Sequence, residues 1–213
     1  MPRGALIVFE GAEGVGKTTQ LRRVAAWMRS RGRSAIQLRE PGGTPLGDEI
    51  RRLLLDPASD ITPRTEALLF MASRAQLLER IVRPSLGAGH LVLLDRFFLS
   101  TYAYQVAGRG LPEAEIRQAN AAATSGLVPD LTVLLALPAA EGLARPEQRG
   151  PRDRMERNAD EFHDRVAAAF ATFARPEWQA AHAECGPIAV IDASGSPEAV
   201  FARVCAVVEP TLA

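Results

Sequence analysis

Ala5-Leu6-Ile7-Val8-Phe9-Glu10 runs directly into Gly11-Ala12-Glu13-Gly14-Val15-Gly16-Lys17-Thr18-Thr19. The first stretch is apolar and rich in branched side chains up to its last residue, the pattern of a strand buried on both faces. Residues 11–18 fit G-x-x-x-x-G-K-[ST], and the segment from about 17 to 31 reads as a helix ended by Gly32. In that order, the glycines let backbone N–H groups turn inward around phosphate oxygens. The helix N-terminus adds a field that favours the anion. Lys17 is expected to reach the β- and γ-phosphates of a nucleoside triphosphate, and Thr18 to offer a hydroxyl to Mg²⁺. Composition sharpens the reading of the lysine. Of the 25 basic residues, only Lys17 is lysine and the rest are arginine. A compact ammonium and a planar guanidinium fork are not interchangeable at a tight site, so the position of that one lysine carries information.

Outward from this stretch, short apolar runs alternate with helical patterns. Strands are predicted at 35–39, 90–95, 131–137 and 188–192. Helices are predicted at 47–55, 62–83, 100–107, 112–124, 159–174 and 197–208. The long one opens on Thr62-Pro63, a capping residue followed by proline at the first helical position, and is expected to stop before Pro84. Strand–helix alternation with right-handed crossovers predicts an α/β fold: a five-stranded parallel sheet with helices on both faces, in a single domain over 1–213. Residues 145–157 crowd arginine with Pro and Gly and carry no apolar stripe, which reads as a solvated loop.

With 213 residues, 47% hydrophobic and 23% charged, the chain can bury a core without metal or disulfide help. No apolar run approaches the roughly 18 residues a membrane helix needs. A net charge of zero gives no support for a nucleic-acid coat or a polybasic membrane anchor. The start shows no cleavage-site pattern, and the expected location is the cytoplasm. Cys185 and Cys205 read as reduced structural thiols. His90, His163 and His182 need no catalytic role.

Asp95 closes the third strand. At the C-terminal end of a strand in such a fold, a carboxylate faces the phosphate loop and can hold Mg²⁺, directly or through water. Three classes then compete: a switch GTPase, an ATP-driven motor or partition protein, and a small-molecule kinase. The usual guanine motif N-K-x-D is impossible with Lys17 as the sole lysine.

A second set of residues favours the kinase. Asp95-Arg96-Phe97-Phe98-Leu99-Ser100-Thr101-Tyr102-Ala103-Tyr104-Gln105 resembles the D-R-[YFH]-x-x-S-x-x-A-[YF] signature of thymidylate kinases. Phe9 through Thr19 resembles that family's phosphate loop, including an acidic residue at Glu13. Arg39-Glu40-Pro41-Gly42-Gly43-Thr44, Pro129-Asp130-Leu131-Thr132 and Ile191-Asp192-Ala193 are similar to its further motifs. Gly142-Leu143-Ala144-Arg145, Arg149-Gly150 and Asp153-Arg154-Met155-Glu156 resemble the bacterial lid. Together these span about residues 5–205.

The resemblance implies transfer of the γ-phosphoryl group of ATP to dTMP, a lid at about 142–157, and a homodimer. It implies no nucleic-acid or membrane partner. It also implies roles for single residues. Gly11, Ala12, Glu13, Gly14, Val15, Gly16, Lys17, Thr18 and Thr19 would hold ATP, with Arg145 and Arg154 assisting. Phe70 and Arg74, four apart and so on one helix face, would stack on thymine and bond its carbonyl edge. Arg51 and Arg96 would clamp the monophosphate, a task suited to guanidinium forks. Tyr104 would crowd the place of a ribose 2′-hydroxyl. Ser100 and Gln105 would lie near the base, and Glu13 near the 3′-hydroxyl. Lys17, Asp95, Arg96 and Arg149 would act in catalysis. The phosphate loop lacks an arginine, so a cation for the transferring group must come from elsewhere, and Arg149 is the favoured source. No general base is needed, because the acceptor phosphate is already an anion. Two departures from the family pattern are Ala136, where many members have Asp, and Ala167, where a basic residue is frequent.

Two other readings stay open. A kinase for another nucleoside monophosphate or a deoxynucleoside would differ in substrate preference. A regulatory P-loop ATPase would hydrolyse ATP without an acceptor, and would be insensitive to loss of Arg96.

Overall fold

The computed structural model describes residues 4–137, 153–155 and 158–212. Its strands are β1 (Leu6–Glu10), β2 (Ala35–Arg39), β3 (Leu91–Asp95), β4 (Leu131–Ala136) and β5 (Ile188–Asp192). They form one all-parallel sheet in the order β2-β3-β1-β4-β5. The helices among the described residues are α1 (Lys17–Ser30), α2 (Pro45–Leu55), α3 (Pro63–Leu77), α4 (Arg83–Gly87), α5 (Phe98–Thr101), α6 (Glu113–Thr124), α7 (Asp160–Phe173), α8 (Pro176–Ala181) and α9 (Pro197–Thr211).

Every residue of β1 is buried, as a central strand covered on both faces requires. The two-residue period of the strand splits its side chains between two cores. Ile7 and Phe9 join Leu93, Val133 and Leu135 beneath α1 and α9, which contribute Leu21, Val24, Met28, Val200 and Val204. Leu6 and Val8 join Val92, Leu94 and Leu134 on the other face, under Leu77, Leu99, Phe162 and Phe170.

Parallel register brings the strand ends to one rim. Phe9 pairs with Asp95, Arg39 also pairs with Asp95, and Ala136 pairs with Asp192. The helix leaving β1 packs on one face and the helix leaving β3 on the other. A crevice at the carboxyl ends of β1 and β3 results from that reversal, the place where open α/β sheets bind ligands.

The predicted strands stand within a residue of their observed ends. The helices differ more. The long helix does not stop before Pro84: a π-helical turn at Leu78–Val82 joins α3 to α4, with the Arg83 N–H bonded to the Leu78 carbonyl. Pro84 stands directly after that wider turn, as the second residue of α4, and the helix runs on past it. The helix predicted at 100–107 begins at Phe98 and widens into a π-helical stretch at Tyr102–Gly108. The short helix α8 is not among the helices predicted from sequence. Of the predicted loop at 145–157, only residues 153–155 are described.

Candidate active site

A cavity of about 630 Å³ opens at the ends of β1, β2 and β3. One end is the loop between β1 and α1. Gly11 has φ 140°, and a Cβ there would lie 2.5 Å from the Leu135 carbonyl oxygen, so only glycine fits. Gly16 caps α1 in the left-handed region. α1 has no side-chain cap and no acidic residue in its first turn, so its N-terminal N–H groups remain for an anion. Lys17 Nζ donates to the carbonyls of Gly11 at 3.0 Å and Ala12 at 2.7 Å. Burial, then the charge of Arg96, pulls the Lys17 ammonium down to about 7. Thr19 is exposed on the first turn of α1.

Adjacency of β1 and β3 brings Asp95 to this loop, where Thr18 Oγ1 donates to Asp95 Oδ2 at 2.8 Å. Among the described residues no cluster of three His, Cys, Asp or Glu could cage a metal. One hydroxyl and one carboxylate suit a small hard cation that keeps water and phosphate oxygens as its remaining ligands.

Arg96 comes next in the chain with φ 72°, a conformation costly for a side chain with a Cβ. The buried Glu10 carboxylate holds it. Glu10 accepts from Phe97 N at 2.7 Å, Ser100 N at 3.0 Å and Ser100 Oγ at 2.6 Å. Ser100 Oγ in turn accepts from Arg96 Nη1 at 3.0 Å. The Ser100 hydroxyl therefore sits between Glu10 and Arg96, bracing the guanidinium. Arg96 lies 5.2 Å from the Tyr104 ring centroid, and Tyr104 OH donates to Glu13 Oε1 at 3.2 Å. Arg51 lines the same cavity and donates to the Pro41 carbonyl at 3.1 Å. Burial and then the neighbouring charge of Arg39 lower its pKa.

The far end of the cavity is lined by Phe70, Arg74, Gln105 and Met155. Phe70 is half-buried, whereas Arg74 is 2% exposed. Arg74 donates through Nε to Glu40 Oε2 at 2.7 Å and through Nη1 to Asn120 Oδ1, and lies 4.6 Å from the Phe97 ring centroid. Held on three sides, the guanidinium is aimed before any ligand arrives.

The thymidylate kinase family model matches residues 9–204. A thymidylate kinase of Deinococcus radiodurans is 46% identical over 208 residues, covering 98% of each chain. That of Carboxydothermus hydrogenoformans is 43% identical, over 93% of this chain and 94% of the relative. One from a Synechococcus strain is 47% identical, over 97% and 95%.

The chain belongs to the thymidylate kinase family. In this member, the residues picked from sequence as Lys17, Thr18, Glu13, Arg51, Phe70, Arg74, Asp95, Arg96, Ser100, Tyr104 and Gln105 all line the one cavity. Arg154 stands apart from the phosphate loop. Its Nε donates to the Leu54 carbonyl at 2.7 Å and its Nη2 to Glu66 Oε2 at 2.6 Å. Arg145 and Arg149 lie outside the described residues. Sequence reasoning assigned no role to Glu10, Glu40, Glu66 or Asn120, the polar groups that hold the thymidylate kinase site in shape. A signal existed for Glu10: a carboxylate ending a wholly buried strand must be partnered.

Proposed function

We propose that this chain transfers the γ-phosphoryl group of ATP to dTMP, giving ADP and dTDP, a step of nucleotide biosynthesis. The observation that carries the reading is continuity: one cavity is lined both by the uncapped start of α1 and by Phe70 and Arg74. An oxygen of the dTMP phosphate attacks the γ-phosphorus in line and the bond to the ADP oxygen breaks. No proton needs to be removed from the acceptor. The work is positioning and charge neutralisation.

The loop N–H groups and Lys17 hold the phosphates of ATP. Arg96 and Arg51 hold the acceptor phosphate. Phe70 stacks on thymine and Arg74 donates to its carbonyl edge. Glu13, fixed by Tyr104, faces the 3′-hydroxyl, and the Tyr104 ring excludes a 2′-hydroxyl. Thr18 and Asp95 hold Mg²⁺, which when bound neutralises charge on the transferring phosphates. Arg149, with Arg145, supplies cationic groups from a lid at about 142–157 of a single domain.

We assign a homodimer and a cytoplasmic location. The first is supported by Leu46 and Leu53 on α2 and Leu68 on α3, large apolar side chains each left exposed on a pair of helices that pack together. As to the second, no helix of the described residues is long and apolar enough to cross a membrane.

The test is ADP release with ATP and Mg²⁺ across nucleoside monophosphates with and without a 2′-hydroxyl. Turnover strongest on dTMP, weaker on dUMP and absent on UMP is expected. Fast turnover on another monophosphate would discard the roles of Phe70, Arg74 and Tyr104. Release indifferent to every acceptor would discard the kinase reading.

A further inference from the structure

Glu66 lies in the first turn of α3, is 1% exposed and is not among the residues lining the cavity. Its carboxylate is fully engaged. Oε1 accepts from Gln105 Nε2 at 3.1 Å and from Arg109 Nε at 3.1 Å. Oε2 accepts from Arg109 Nη2 at 2.9 Å and from Arg154 Nη2 at 2.6 Å. Burial by itself would raise this carboxyl, but the hydrogen bonds from Arg109 and Arg154 outweigh it, and the group is held ionised.

An ionised carboxylate only accepts. The Gln105 amide must therefore present its NH₂ end to Glu66, which leaves its carbonyl oxygen as the free end. That oxygen accepts no hydrogen bond from the described residues, and Gln105, though only 2% exposed, lines the base-facing end of the cavity. Without Glu66 the amide could rotate by half a turn at little cost and offer a donor instead.

We propose that Glu66 is a specificity-positioning residue, whose acceptor-only carboxylate turns the Gln105 carbonyl oxygen toward the base. The inference rests on the reading of that end as the thymine site. An acceptor from Gln105 beside a donor from Arg74 matches thymine, whose ring N3–H adjoins a carbonyl. It mismatches cytosine, whose ring N3 accepts and whose exocyclic amine donates. Discrimination by pairing of this kind exceeds what a purely apolar pocket achieves. Arg109 keeps the arrangement rigid, since it also donates to Asn158 Oδ1 at 2.7 Å and lies 4.7 Å from the Phe162 ring centroid.

The test compares kcat/KM for dTMP and dCMP in the wild type, Glu66→Gln, Gln105→Leu and the double variant. Glu66→Gln is expected to lower the dTMP-to-dCMP ratio about tenfold, the worth of one misdirected hydrogen bond. In the Gln105→Leu background the same change is expected to leave the ratio where it is, because the two act through one group. A Glu66 that only held helices together would lower thermal stability or overall rate without moving the ratio. An unchanged ratio in folded Glu66→Gln overturns the proposal, as does an equal further loss in the Gln105→Leu background. Should Glu66→Gln not fold, Glu66→Asp keeps the charge for both guanidiniums but shortens the reach to Gln105. It is expected to lower the ratio as well, and an unchanged ratio there overturns the proposal. A wild type with no preference for dTMP over dCMP defeats the underlying base reading instead.

Discussion

Lys17 brings an ammonium into a site that disfavours it. Burial and Arg96 lower it to about 7, far below the ordinary lysine range. A triphosphate laid over it reverses that balance and restores the charge. At pH 8 the free side chain is mostly neutral and the bound one protonated, so ATP binding is expected to take up a proton. At pH 6 both states are charged and uptake is expected to fade. Calorimetry in buffers of differing ionisation enthalpy reads this directly; buffer-independent heats at pH 8 would refute it. Glu10 acts at the same scale. It offsets the left-handed backbone of Arg96 by accepting from the N–H groups of Phe97 and Ser100 and from the Ser100 hydroxyl. Glu10→Gln offers one acceptor oxygen in place of two. We expect KM for dTMP to rise about tenfold or more, with loss of the phosphate clamp as the cause. An unchanged KM would separate Arg96 placement from Glu10.

At the scale of elements, the phosphate loop is close-packed against the next strand. Gly11→Ala would drive a methyl group into the Leu135 carbonyl and force a strained φ. A loss of about 1–3 kcal/mol in unfolding free energy is expected, checked by urea titration, together with weakened ATP binding. The element that carries Tyr104 and Gln105 was legible as a helix but not as a π-helical one. The stretch packs against α7, where Phe162 lies close on Gly108, a tertiary contact that no local pattern encodes. Tyr104→Ala removes the ring that Arg96 overlies and that anchors Glu13. Ribonucleotide acceptors should then gain relative to dTMP, and a fixed selectivity ratio would defeat the exclusion argument.

At the scale of the whole molecule, α2 and α3 present Leu46, Leu53 and Leu68 to solvent, the last 62% exposed. Covering such a face is a reason for two copies to associate. Leu68→Glu is expected to halve the mass seen by light scattering while leaving the circular dichroism of the fold intact. An unchanged mass would move the interface elsewhere.

The sequence by itself determined the sheet, the phosphate loop and the family. Strand period, glycine spacing and the order of motifs are local quantities, and a sole lysine at residue 17 marks its own site. That Arg96 and Tyr104 lie near one another was legible because they share one contiguous motif, and Arg74 was marked by its four-residue spacing to Phe70. Only the tertiary structure decided which buried acids hold those cations. Glu10 reaches residues 97 and 100, Glu40 reaches Arg74, and Glu66 gathers Gln105, Arg109 and Arg154. These partners are 34 to 90 positions apart along the chain. Hydrogen bonds between such distant residues leave no periodic trace in sequence; they exist because parallel register and helix packing bring strand ends and helix starts to one rim.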